Sequence, residues 1–200
     1  MTALTQAQHV SSLVDAADFL PTAIVLVDAN RSINYMNAAA SEIVQRSDGL
    51  AVDRNRLVCV RQADAVRLRE LVTSSSDGAL RVSRIGGRRP YQLWVTHSNP
   101  SEVIVLIVDA ERVATGAEML LELFYDLTPA ESRLAAHLMN GCSLAEAAKQ
   151  LRIRRDTAKS HLKKIFSKTH TQRQSELVRL LLQSVAALRI KSQKAEFVKK

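Results

Sequence analysis

Apolar positions along the first half of the chain fall in short runs broken by turn residues. Ile24-Val25-Leu26-Val27-Asp28 is a β-branched run bounded by Pro21 and Asn30, which reads as a strand. Ala29-Asn30-Arg31 is a turn and Ile33-Asn34-Tyr35-Met36 a second strand, so the pair makes a hairpin. Asn37 stands where a helix N-cap belongs, ahead of Ala38-Ala39-Ala40-Ser41-Glu42-Ile43. Past Gly49 comes a short apolar stretch at residues 57–60. Ala65, Val66, Leu68, Leu71 and Val72 then follow at mostly helical spacing within residues 62–72. The loop at residues 74–78 leads to three strand candidates, residues 80–85, 92–97 and 102–109. Gly86-Gly87 to Pro90 and Asn99-Pro100-Ser101 separate them. Two strands, a helical middle and three strands predict an antiparallel α+β layout with its helices on one face of the sheet. Residues 1–19 carry only weak helical periodicity.

Beyond residue 111 the period lengthens. Val113, Met119, Leu120, Leu121, Leu123 and Phe124 make residues 113–126 a connector, helical after Gly116. It is open to packing on the first module, pairing with a twin, relaying a change, or none of these. Thr128-Pro129-Ala130-Glu131 combines an N-cap, a proline at the first helical position and a glutamate at the third, a capping box with the preferred proline. That helix stops at Asn140-Gly141, and Ser143-Leu144-Ala145-Glu146 opens a second one, with Leu144, Ala147, Ala148 and Leu151 inward. A turn at Arg152-Ile153 leads to a third helix at about residues 155–169. Ala158, Leu162, Ile165 and Phe166 form one narrow apolar stripe there. Asp156, Ser160, Lys163, Lys164 and Ser167 point away from it, with Lys159 on the flank. Two short helices, a tight turn and a basic outward face describe a helix-turn-helix, whose second helix enters the major groove. The fourth helix starts near Arg173. Its apolar arc, which also takes in Leu180 and Leu188, spans roughly 200°, wider than one core uses. Leu177, Val178, Leu181, Leu182 and Val185 are therefore assigned to a dimer interface, with a contact to the first module as the competing explanation.

Charge sharpens the division. Residues 1–126 hold 12 arginines, no lysine and 15 carboxylates, a net −3, whereas residues 127–200 hold 16 basic and 5 acidic residues, a net +11. A small, strongly basic module points to a polyanion, nucleic acid first among them. Cys59 and Cys142 match no metal spacing and imply a reducing compartment. Asp15 and Asp18 interrupt any leader-like apolar core, and the six-residue aliphatic run at 103–108 is too short to span a bilayer. A cytoplasmic protein is expected.

Ala23-Ile24-Val25-Leu26-Val27-Asp28, Ile33-Asn34-Tyr35-Met36-Asn37-Ala38-Ala39-Ala40 and Leu106-Ile107-Val108-Asp109-Ala110-Glu111-Arg112 resemble, in that order, the pieces of a PAS domain. The resemblance covers residues 12–112 and implies a sensor and dimerisation module, some members of which hold haem, flavin or a metabolite. Cys59 lies in Leu57-Val58-Cys59-Val60-Arg61 rather than in the Asn-Cys-Arg-Phe stretch of flavin photosensors, and His97 sits near a strand end. No cofactor is expected, and an unidentified small-molecule ligand is left open. Cys59 and Trp94 are assigned to core packing, Asp28 to a turn and Asn37 to a cap.

Leu127-Thr128-Pro129-Ala130-Glu131, Gly141, Ala147-Ala148-Lys149-Gln150-Leu151, Ile153, Thr157, Lys159, His161, Ile165 and Lys168 resemble, in register, the LuxR-type helix-turn-helix family. That resemblance places DNA contacts on Lys159, Ser160 and Lys163. Arg154 stands where the family usually has a serine N-cap, a loss of about 1 kcal/mol that a phosphate contact by Arg154 would offset. Ala158 replaces a common valine and His170 a usual glycine. The full expected DNA-facing set is Arg154, Arg155, Thr157, Lys159, Ser160, Lys163 and Lys164.

The expected organisation is thus a PAS-like α+β module at residues 12–112, the connector at 113–126, a four-helix LuxR-type domain at 127–190 and a basic tail at 191–200. The function it implies is a dimeric, sequence-specific, double-stranded-DNA-binding transcription regulator. The alternative is an interaction module that recruits RNA polymerase or a sigma factor with weak DNA affinity of its own. No nucleophile–base pair, phosphate loop or carboxylate cluster in the sequence supports an enzyme, so no catalytic or metal residue is assigned.

Overall fold

A computed structural model describes residues 15–74, 76–99, 101–112 and 117–184. The chain forms two compact units, Met1–Glu111 and Arg112–Lys200. The architecture is the expected α+β one, an antiparallel sheet with flanking helices followed by an all-α unit.

In the first unit, β1 (Ala23–Val27), β2 (Ile33–Met36), β5 (Gly78–Val82), β6 (Tyr91–Asn99) and β7 (Glu102–Val108) form one sheet, and β3 (Leu50–Asp53) pairs with β4 (Arg56–Cys59) in a separate hairpin. The sheet order is β2-β1-β7-β6-β5, all neighbours antiparallel, so the first and last strands lie side by side at its centre. Alternation decides the faces. Ala23, Val25 and Val27 of β1 and Val103, Val105 and Ile107 of β7 are buried. Against that face pack α1 (Ala38–Arg46), through Ala39, Ala40, Ile43 and Val44, and α2 (Gln62–Thr73), through Leu68 and Val72.

Asn37 is more than the expected cap. Fully buried, its Oδ1 accepts from the amides of Ala40 and Ile24, both at 3.0 Å, and its Nδ2 donates to the carbonyls of Ala17 and Thr22 at 2.9 and 3.0 Å. It ties the lead-in, β1 and α1 together. Asp28 holds its turn by accepting from the amides of Asn30 and Ser32, each at 2.8 Å.

Two expectations are corrected and one reading is extended. The apolar stretch at residues 57–60 belongs largely to a strand, since residues 56–59 are one arm of the β3–β4 hairpin. Its turn puts Arg54 and Asn55 at φ 47° and 62° without any glycine to announce it. The strand expected at 80–85 ends at Val82, and Ile85 is exposed in a short 3-10 turn, Ile85–Gly87. Trp94 is not core: Tyr91, Leu93 and Val95 take the inward positions of β6, which leaves Trp94 47% exposed. Cys59 is buried as expected, and burial, helped by Asp64, pushes its thiol up to about 12.

At the end of β7 lies a buried ionic cluster. The fully buried Arg84 guanidinium bonds Asp48 at 2.7 and 3.0 Å and Asp109 at 3.0 Å, and stacks over the Tyr91 ring at 4.2 Å. Tyr91 donates to Asp48 at 2.7 Å. Burial would raise the Asp48 carboxyl, but bonds from Arg84 and Tyr91 hold it below its ordinary value. Close approach here requires Gly49, since a Cβ would stand 2.8 Å from the Ser83 carbonyl oxygen.

The second unit contains α3 (Ala117–Tyr125), α4 (Pro129–Met139), α5 (Leu144–Gln150), α6 (Arg155–Thr169) and α7 (Gln174–Gln183). Both expected capping boxes are formed. The connector helix α3 buries Ala117, Leu120 and Leu121 in the same core as Leu134, Leu138, Ile165 and Leu177, and Ser132 donates to Glu122 at 2.7 Å. Val113 lies outside the described residues. Among the described residues no helix is long and apolar enough to cross a membrane.

Candidate nucleic-acid interface

α5 packs against α6, and small residues on both helices lie in their shared core: Ala147 and Ala158 have no exposed surface, and Ala148 is buried. The chain turns between them at Arg152, which takes φ 55°. Amides of Leu151, Arg152 and Ile153 donate to the carbonyls of Ala147, Lys149 and Ala148 at 2.9, 3.2 and 3.0 Å, closing the end of α5. The side chain of Arg154, at the N-cap of α6, makes no capping bond.

Ala158, Leu162, Ile165 and Thr169 are the buried ridge of α6. Their spacing of four, three and four residues repeats in Asp156, Ser160, Lys163 and Ser167, two positions earlier, all exposed. At about 100° per residue, this second ridge runs along the opposite side of the helix. Lys159 flanks it on one side, and Thr157 and Lys164 on the other. All seven residues expected to face DNA are exposed. Arg155 stands about 100° from Asp156 on the side of Phe166, as Thr157 does on the opposite side. Asp156, absent from the expected set, lies on the outward ridge with its side chain 91% exposed and accepts from Lys159 at 3.2 Å.

Other side chains of α6 face inward. Lys168 donates to the Asp126 carbonyl and to the buried carboxylate of Glu131, both at 2.7 Å, pinning the end of α6 to the start of α4. Burial would raise the Glu131 carboxyl, but bonds from Lys168 and from Thr128 hold it below its ordinary value. Thr169 donates to the Ile165 carbonyl at 2.8 Å, and its hydroxyl meets that of Thr171 at 2.9 Å. His170 ends the helix in the left-handed region, φ 53°. His161 is half-buried, and its Nδ1 has no hydrogen-bond partner.

The arc expected at a dimer interface divides. Leu177 and Leu181 have no exposed surface, being inside this chain's own core, so the expectation that they face a twin does not hold. Val178 is half-buried and Leu182 is 53% exposed. These two, with Leu138 and Cys142, line an open apolar groove of about 630 Å³ beside α7. Val185 and Leu188 lie outside the described residues.

No protein-family model matches the chain. No curated protein matches it either. Among solved structures, a phage VqmA–DPO complex is 17% identical, covering 88% of this chain and 89% of its own at a TM-score of 0.38. A Vibrio cholerae VqmA dimer, described as a LuxR-type receptor, is 15% identical over 90% and 94% of the two chains, with a TM-score of 0.36. The PAS domain of Bordetella pertussis BvgS is 16% identical, covering 60% of this chain and 94% of its own, with a TM-score of 0.37.

Proposed function

We propose that the chain is a sequence-specific, double-stranded-DNA-binding transcription regulator that works as a homodimer, with α6 as the recognition helix and the first unit as its sensor. One observation carries this reading. A helix-turn-helix presents the outward ridge of its second helix bare to solvent, flanked by Lys159 and Lys164 and centred on Ser160 and Lys163, with Arg154 exposed at the helix N-cap. Basic groups beside such a ridge neutralise phosphates, while the ridge meets base edges. The net +11 of residues 127–200 supplies the long-range attraction. For self-association the surface available is Leu182 with Val178, and a symmetric pairing there sets two recognition helices on two half-sites.

The test is enrichment of duplexes from a randomised library by the full chain, followed by titration of the winning sequence at several salt concentrations against competitor DNA. A shared motif, bound more tightly than competitor and weakened steeply by salt, is the expected result. A folded chain that enriches no motif overturns the reading.

A further inference from the structure

We propose that Asp156 is a base-reading, specificity-determining residue of α6, accepting a hydrogen bond from the exocyclic amino group of a cytosine in the major groove. The inference rests on α6 being the groove-facing helix, and adds a base chemistry at one position of the motif.

Between Ala147 and Ser175 the sequence carries nine basic residues and one acidic residue, Asp156. That carboxylate stands in the first turn of α6, on the same outward ridge as Ser160 and Lys163. The N-terminal part of a recognition helix is the part that reaches base edges. A carboxylate there repels every phosphate and lowers the affinity for DNA at large. A purely structural role explains the residue type but not the position. An acid anywhere in the first turn favours the helix end, so Arg155 or Thr157 would serve as well off the ridge. The exposed pair with Lys159 at 3.2 Å contributes little to stability. An ionised carboxylate only accepts hydrogen bonds. In the major groove guanine and thymine present acceptors to it, and adenine pairs its amino donor with the N7 acceptor. Cytosine offers N4–H without a neighbouring acceptor of its own.

The experiment repeats the library selection with full-length wild type, Asp156→Asn, Asp156→Ala and Lys159→Ala, with circular dichroism confirming the fold of each. Wild type is expected to select cytosine at one position. Asp156→Asn shifts that position towards adenine, because an amide pairs with adenine N6 and N7. Asp156→Ala loses the preference there, with discrimination falling about tenfold, and binds competitor DNA more tightly. Lys159→Ala keeps the cytosine. If either Asp156 variant selects the unchanged motif, Asp156 reads nothing. If Lys159→Ala also erases the cytosine, Asp156 acts only by positioning Lys159, and direct reading is overturned. Both outcomes leave the DNA-binding assignment standing, whereas a folded wild type that enriches no motif removes both proposals.

Discussion

His170 and Arg154 sit at the two ends of α6, and each is the wrong residue for helix stability at its position. His170 holds φ 53°, where an L side chain is strained and glycine is not. His170→Gly is expected to raise the unfolding free energy by about 1 kcal/mol, read as a higher urea midpoint with an unchanged slope. Arg154 leaves α6 without a side-chain cap. Arg154→Ser is expected to stabilise by about 1 kcal/mol and, if Arg154 meets a phosphate, to lower the slope of log affinity against log salt by about 1. A variant that gains stability and keeps the wild-type salt slope would show that Arg154 lies away from the backbone of the DNA. Both departures were legible in the sequence as residues that differ from the helix-turn-helix pattern it resembles. Asp156 was legible only as one member of an outward face. Its place at the N-terminal end of the ridge needed the buried residues to define the opposite side.

At the scale of elements, the second unit is organised by α3 and by the Glu131–Lys168 clamp. Removing α3 strips Leu120 and Leu121 from the core, a loss of about 4 kcal/mol. A fragment starting at residue 127 should therefore unfold at lower urea than one starting at residue 112. The clamp has a sign in pH. Because the Glu131 carboxyl lies below its ordinary value of 4.5 in the folded chain, its contribution is complete above that pH and is lost as pH falls through the folded value. Glu131→Gln keeps a capping group but loses the ion pair. It should cost about 1.5 kcal/mol at neutral pH, with the gap to wild type closing in acid. A gap independent of pH would place the effect elsewhere than in the charge. The capping boxes at Thr128 and Ser143 were readable because N-cap and third residue interact locally. The β3–β4 hairpin was not, because an Arg-Asn turn carries none of the usual glycine signal. Trp94 was misassigned on residue type, when the period of two along β6 already sent it outward.

For the whole molecule, the split between an acidic arginine-only first part and a basic second part was visible in composition alone, whereas the surface by which two copies would meet was not. A helical wheel of α7 shows a wide apolar arc but cannot say which part the chain's own core consumes. The fold does: Leu177 and Leu181 are taken up by contacts within the unit, leaving Leu182 beside the groove formed with Leu138, Cys142 and Val178. Two neighbouring leucines should therefore behave differently when replaced by glutamate. Leu181→Glu buries an unpaired charge and should unfold the second unit, with operator binding lost as a consequence. Leu182→Glu places its carboxylate in solvent, so circular dichroism and urea midpoint should stay near wild type. In ultracentrifugation wild type is expected as the proposed dimer and that variant as a monomer, and operator affinity should fall while the salt-dependent affinity for random DNA persists. That combination follows because one recognition helix still meets phosphates, but two half-sites are no longer held by one particle. A Leu182→Glu chain that stays dimeric would move the interface away from α7.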